Sequence, residues 1–228
     1  MTCEGCVIFI INAYNFQKRR VAIFDCDGVL FDSKASNINY YNHLLSKFGL
    51  PPLKENDVEF IHMHTADECI YHLFSNSPHL KDALKYRWEM PIDQFIKDMV
   101  MEDGLIDLLT FLKPVYHIAL ATNRSNSIPE VLSYFKLQNF FDLVVSSLDV
   151  ANPKPNPECI IKIIEFFRVT KEDVVYIGDS KLDELTAINA GVKFIAYKNP
   201  SLHADFHAGS LYEVKEIIGK LLPPNDLG

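Results

Sequence analysis

Apolar residues change their period several times along this chain, and the changes mark its elements. Val21-Ala22-Ile23-Phe24 is a continuous apolar run closed by Asp25-Cys26-Asp27-Gly28, the pattern of a short buried strand ended by a turn. Asp32 and Ser33 then read as a helix start. Ile38, Tyr41, Leu44, Leu45 and Phe48 follow at spacings of three and four, which predicts a helix over 34–48 that Gly49, Pro51 and Pro52 stop. From there to about residue 101 the period stays helical, with no convincing strand. Thr65-Ala66-Asp67-Glu68 is a capping box opening a helix with Cys69, Ile70, Leu73 and Phe74, and Pro78 and Pro91 punctuate two further runs.

Beyond Gly104 the texture becomes alternation. A helix over 104–112 leads to strand 117–121. A helix capped by Ser127, with Pro129 and Glu130 in its first turn, precedes strand 143–145. Helix 157–167, strand 174–177, helix 181–190, strand 193–197 and a helix near 212–222 complete the series. Strands alternating with helices of this length predict right-handed crossovers and a parallel sheet. The expected fold is α/β: a Rossmann-like, doubly wound core over 21–33 and 103–228, a small all-helical unit over 34–102 inserted after the first strand, and an N-terminal extension over 1–20. In the extension, Val7–Ile11 is too short to cross a bilayer, and Lys18, Arg19 and Arg20 follow the apolar run instead of preceding it as in a signal peptide. A loosely attached segment, an extra edge strand or a mistaken start site are the readings for it.

Composition narrows the classes. Of 228 residues, 48% are hydrophobic and 23% charged, as in soluble globular chains, and the net charge of −8 speaks against a phosphate-contacting nucleic-acid role. Cys3, Cys6, Cys26, Cys69 and Cys159 are odd in number and scattered, which suits reduced thiols in a cytoplasm. Cys3 and Cys6 form a C-x-x-C pair with no second pair to complete a zinc site. No membrane partner is expected, and monomer and homodimer both stay open.

Four strand ends carry polar groups. They are Asp25 with Asp27, Thr122 with Asn123, Lys154 in Asn152-Pro153-Lys154-Pro155-Asn156-Pro157, and Asp179 with Asp183. Singly, each has a plain explanation: Thr122 or Asp179 as a cap, Lys154 as a solvated loop residue. In a parallel sheet, however, strand carboxyl ends share one rim, so these groups converge where open α/β sheets place ligands. Two buried carboxylates need a counter-charge, most simply a divalent metal.

These motifs resemble the haloacid dehalogenase superfamily, in particular its phosphoglycolate-phosphatase-like and β-phosphoglucomutase-like members with a helical cap. Asp25-x-Asp27-Gly28-Val29, Thr122-Asn123, Lys154-Pro155-x-Pro157 and Gly178-Asp179-Ser180-x-x-Asp183 match in order, over residues 21 to about 222. The resemblance implies a Mg²⁺-dependent phosphatase acting on a small-molecule phosphate ester. Asp25 would be the nucleophile that becomes an aspartyl phosphate, and Asp27 the acid and base. Thr122, Asn123 and Lys154 would hold the phosphoryl oxygens. Asp25, the backbone carbonyl of Asp27, and Asp179 would bind Mg²⁺, with Asp183 orienting metal waters or Lys154.

Within the family, Asp27 argues against a dehalogenase, whose leaving halide needs no proton, and against a phosphonate hydrolase. Sugar phosphomutases resemble the chain more closely. They carry a histidine where this chain has Asn37, and an arginine in the loop that here reads Ile61-His62-Met63-His64-Thr65. Hydrolysis is therefore preferred, with a mutase or a non-catalytic binding protein as alternatives. His62 and His64 are the expected substrate-choosing residues, or else plain surface histidines. Tyr86, Arg87 and Trp88 form a second candidate cluster, with Trp88 assigned to the core of the helical unit.

Overall fold

A computed structural model describes residues 19–221. The expectations for the N-terminal extension, including Cys3, Cys6 and the extra edge strand, lie outside the described residues apart from Arg19 and Arg20. The main sheet contains β1 (Arg20–Phe24), β4 (Tyr116–Ala121), β5 (Leu143–Val145), β6 (Val174–Gly178), β7 (Lys193–Tyr197) and β8 (Phe206–Ala208). Its order is β5-β4-β1-β6-β7-β8, all parallel. From β1 the chain proceeds outward to β4 and β5, then returns to pair β6 on the other side of β1. The carboxyl end of β1 is thus a topological switch point, the crevice in which such sheets bind ligands.

The four inner strands are buried on both faces, which is why they read as unbroken apolar runs. Ala22, Phe24, Ile118, Leu120, Val175, Ile177, Ile195 and Tyr197 face a cluster with α6 (Leu105–Leu112), α7 (Ile128–Tyr134) and α10 (Leu211–Leu221). The intervening Val21, Ile23, Ala119, Ala121, Val174, Tyr176, Phe194 and Ala196 face α8 (Glu158–Phe167) and α9 (Lys181–Ala190). The two-residue period of a strand sorts one sequence into two cores.

Between the first and second strands of the main sheet lie α1 (Lys34–Lys47), α2 (Glu55–Met63), α3 (Ala66–Leu73), α4 (Leu80–Tyr86) and α5 (Asp93–Ile96). They have a core of their own around Tyr41, Leu44, Leu45, Ile61, Ile70 and Phe74. The Thr65 capping box forms as read, with the Glu68 amide on the Thr65 hydroxyl and the Thr65 amide on the Glu68 carboxylate.

Four readings need correction. The stretch before residue 101 does contain a strand: β3 (Val100–Met101) pairs antiparallel with β2 (Phe31–Asp32), so a two-stranded ribbon joins both ends of the helical unit to the core. Two-residue strands carry too little alternation to show in a sequence. The edge strand β8 was hidden because exposed His207 breaks its short apolar run. Ser33 and Ser127 stand at helix starts, yet neither hydroxyl caps: Ser33 donates to Asp27, and Ser127 accepts from Arg124. Trp88 is 52% exposed, not core; its buried neighbour is Arg87, whose guanidinium lies 4.0 Å from the indole centroid.

Candidate active site

Asp25 follows the last residue of β1, and its amide stays in the sheet by donating to the Ile177 carbonyl at 2.9 Å. Its side chain therefore emerges at the rim together with the turn after β6. Two glycines make that proximity possible. Gly28 has φ +77°, and a Cβ there would fall 2.0 Å from an Asp179 carboxylate oxygen; a Cβ on Gly178 would fall 2.4 Å from the Asp183 Cβ. The consecutive turns can pack only without side chains at these two positions.

Lys154 is the hub of the rim. Only 4% exposed, its ammonium donates to Asp25 Oδ1 and Asp183 Oδ1, both at 2.7 Å, and to the Tyr176 hydroxyl at 3.2 Å. Asp183, fully buried, also accepts from the Tyr176 hydroxyl at 2.5 Å on Oδ1, and from the Ser180 amide (3.1 Å) and hydroxyl (2.5 Å) on Oδ2. Four donors fill its acceptor capacity. Burial works against the Lys154 charge, but Asp183 and Asp25 outweigh it and hold the ammonium protonated. Burial likewise opposes the Asp183 anion, and Lys154 again prevails, keeping that carboxyl below its ordinary range.

Asp25, Asp179 and Asp183 bring carboxylate oxygens within 4.8 Å of one another. Burial, reinforced by the neighbouring anions, pushes Asp25 up to about 7 and Asp179 up to about 9. One lysine does not balance three clustered carboxylates, and the surplus negative charge with an all-oxygen donor set suits a hard divalent cation such as Mg²⁺. Since Asp183 is already saturated by the protein, Asp25 and Asp179 are the side chains with oxygens left for it.

Asp27 has different company. Arg124 grips it from both sides, Nε to Oδ2 and Nη2 to Oδ1 at 2.7 Å each, while the Ser33 hydroxyl donates to it and the Asn37 amide approaches at 3.4 Å. Burial alone would raise this carboxyl, yet Arg124 brings it down to about 2.

The loop after β4 continues into contacts with the helical unit. Thr122 is buried against the cleft, and its Oγ1 accepts from the Arg124 amide at 3.0 Å. Three consecutive residues then reach across. Asn123 Nδ2 donates to the Met63 carbonyl at 3.0 Å, Arg124 Nη2 to Asn37 Oδ1 at 2.9 Å, and Ser125 Oγ accepts from Arg87 at 3.3 Å. The Asn123 side chain also holds the Lys154 backbone, accepting from its amide at 3.1 Å.

His62 and His64 both line the cleft. His62 lies between Asn37 (3.4 Å) and Asp179 (3.9 Å). His64 instead stacks on Phe60, ring centroids 3.8 Å apart, with Nδ1 3.0 Å from the Phe60 carbonyl. Tyr86 and Arg87 do not line this cleft: the Tyr86 hydroxyl meets His43, and Arg87 Nε sits 2.7 Å from Asp67 in an ion pair without hydrogen-bond alignment.

The profile of the haloacid dehalogenase-like hydrolases matches residues 22–197, a span holding every rim residue described above. The chain belongs to this family. A haloacid dehalogenase superfamily hydrolase of Geobacter sulfurreducens, of subfamily IA, superposes with a TM-score of 0.72 at 32% identity, covering 90% of this chain and 99% of that one. A phosphoglycolate phosphatase of Vibrio cholerae is 27% identical over 75% of this chain and 81% of its own. A phosphorylated carbohydrates phosphatase of Thermotoga maritima is 28% identical over 76% and 82%. This haloacid dehalogenase-like hydrolase is thus an enzyme, a phosphoric monoester hydrolase resembling the phosphoglycolate phosphatases. No helix among its described residues is long and apolar enough to cross a membrane.

Sequence reasoning overlooked Arg124, Tyr176, Ser33 and Ser180 as parts of this hydrolase's site, and Asn37 as more than a missing histidine. Arg124 adjoins Thr122-Asn123, and that adjacency was the available signal. Tyr176 is the third residue of the run Val174-Val175-Tyr176-Ile177 before Gly178, where nothing distinguishes a hydroxyl with a task from core filling.

Proposed function

We propose that this enzyme hydrolyses a small organic phosphomonoester with Mg²⁺, through an aspartyl phosphate on Asp25. The observation that carries the reading is the buried Lys154 ammonium, 2.7 Å from both Asp25 and Asp183. It places a fixed positive charge beside the carboxylate best set to attack, where the charge of a phosphoryl group would arrive. Asp183 with Tyr176 would act by holding Lys154 in place. The Thr122 hydroxyl and the Asn123 backbone N–H would hydrogen-bond the phosphoryl oxygens. Mg²⁺, held by the carboxylates of Asp25 and Asp179 and the backbone carbonyl of Asp27, would neutralise anionic charge between enzyme and ester.

Asp27 is held ionised by Arg124, the state needed to take a proton from water in the second half-reaction. Giving a proton to the departing alkoxide first requires Arg124 to loosen. Asn37 holds the same guanidinium from the helical unit, so movement of that unit as a lid would be tied to release of Asp27. The sugar phosphomutases that the chain resembles carry a histidine at the position of Asn37, and its replacement here supports hydrolysis over phosphoryl return to a second substrate hydroxyl. Cys26, Cys69 and Cys159 are free and buried, which supports a reducing, cytoplasmic setting.

The test is turnover of a phosphomonoester with Mg²⁺, with excess chelator, and with Ca²⁺ in place of Mg²⁺, combined with mass spectrometry of acid-quenched enzyme. Activity should vanish with chelator and fall with Ca²⁺, which accepts a looser and larger ligand shell. A phosphorylated peptide should map to Asp25. Full activity in chelator, or phosphate on another residue, overturns the mechanism.

A further inference from the structure

Resting on the phosphatase reading, the wall of the cleft that faces Asp25 says what kind of alcohol leaves. The cleft lies between the sheet rim and the helical unit and is partly open to solvent. Its helical wall presents Tyr40, Ile61, Ile92 and Phe95, with the Tyr40 and Phe95 rings edge-to-face at 5.5 Å. Polar groups beside them are neutral: Ser36, Asn37, Asn126 and Ser127.

Cations are the deciding inventory. Among the described residues lining the cleft, the lysines and arginines are Lys154 and Arg124. Lys154 is engaged by Asp25 and Asp183, and Arg124 by Asp27 in a two-point clamp. His62 faces Asp179, and His64 lies flat on Phe60 with Nδ1 at a backbone carbonyl. A carboxylate or second phosphate on the leaving group would therefore have to draw Arg124 away from Asp27 before the reaction loosens it, or else enter against an apolar wall without a partner, and a desolvated charge without a partner binds poorly. We infer that the substrate is a phosphomonoester whose leaving alcohol is uncharged and carries an apolar ring face with hydroxyls. The apolar face packs on Tyr40, Ile92 and Phe95, and the hydroxyls meet Asn37, Asn126 and Ser127.

The experiment compares kcat/KM, with Mg²⁺ present, for esters that differ by one carboxylate: 2-hydroxyethyl phosphate against phosphoglycolate, and 4-methylphenyl phosphate against 4-carboxyphenyl phosphate. The uncharged member of each pair should be preferred by about tenfold or more. A second arm uses Ile92→Lys, which sets a cation on that wall from a half-buried position where a lysine stem can reach solvent. It should narrow the preference about fivefold. A smaller or reversed preference in the wild type overturns the inference and leaves the phosphatase reading standing. An unchanged ratio in folded Ile92→Lys overturns the assignment of this wall to the leaving group. Absence of turnover on all four esters overturns the phosphatase reading, and the inference with it.

Discussion

On the sheet side of the cleft, Asp25, Lys154 and Asp183 are all at least nine-tenths buried and hold one another at 2.7 Å. On the helical side, Tyr40, Ile92 and Phe95 offer rings and aliphatic surface, and the nearby polar groups are amides, hydroxyls and two histidines. The first wall is charged and closed on itself; the second, among the described lining residues, carries no lysine, arginine, aspartate or glutamate. Chemistry that is the same for every phosphate ester needs fixed charges, because reorganising them during reaction would cost what preorganisation saves. Choice of leaving group needs shape and few charges. The two walls meet in the loop after β4, where Asn123, Arg124 and Ser125 each touch the helical unit.

Substitutions on the charged wall should give the largest effects. Asp25→Asn removes the attacking oxygen with almost no change of shape, and should lower kcat by more than about four orders of magnitude while circular dichroism stays that of the wild type. Retention of a few per cent of activity would refute the nucleophile assignment. Lys154→Met leaves Asp25 and Asp183 buried without their counter-charge. It should cost about 3–5 kcal/mol in urea denaturation, and activity about 10²–10³-fold. A stable, active Lys154→Met would show that the closed network is ornamental.

The Asp27–Arg124 clamp gives a smaller effect that reads as pH. Folding depresses the Asp27 carboxyl from the ordinary 3.8 to about 2. Its stabilising contribution is therefore complete above about pH 4 and is lost as pH falls through 2, amounting to about 2 kcal/mol. Asp27→Asn should flatten the wild-type loss of stability between pH 4 and 2, measured by chemical denaturation of metal-free protein. An identical slope in both proteins would mean that the clamp does not form in solution.

On the neutral wall the expected effects are smallest and selective. His62→Ala, between Asn37 and Asp179, should reorder a substrate panel by about tenfold while sparing a compact aryl phosphate. His64→Ala, whose ring is taken up by Phe60, should stay within about twofold. Equal effects of the two would erase the distinction drawn between them.

Most of the architecture was legible because each inner strand is an unbroken apolar run and each flanking helix repeats at three and four, signals carried by neighbours in the chain. Asp25, Asp27, Thr122, Asn123, Lys154, Asp179 and Asp183 could be placed on one rim for a related reason: in a parallel sheet, knowing where strands end is enough to know which ends meet. The short pairing of β2 with β3 escaped because two residues hold no period, and the edge strand β8 because exposed His207 breaks its apolar run, unlike the equally short Leu143-Val144-Val145.

What each rim residue does was decided by the tertiary structure. Arg124 reaches Asp27 across 97 residues and Lys154 reaches Asp25 across 129, and no local pattern encodes such a partner. The exchange of Arg87 and Trp88, the charged residue buried and the indole exposed, reverses their ordinary preferences. It follows from Asp67 and Ser125 standing where a guanidinium is needed. Chain-local periodicity determines which face is buried; the identity of the groups waiting there, and hence the charge each side chain carries, comes only from closing the sheet and setting the helices over its rim.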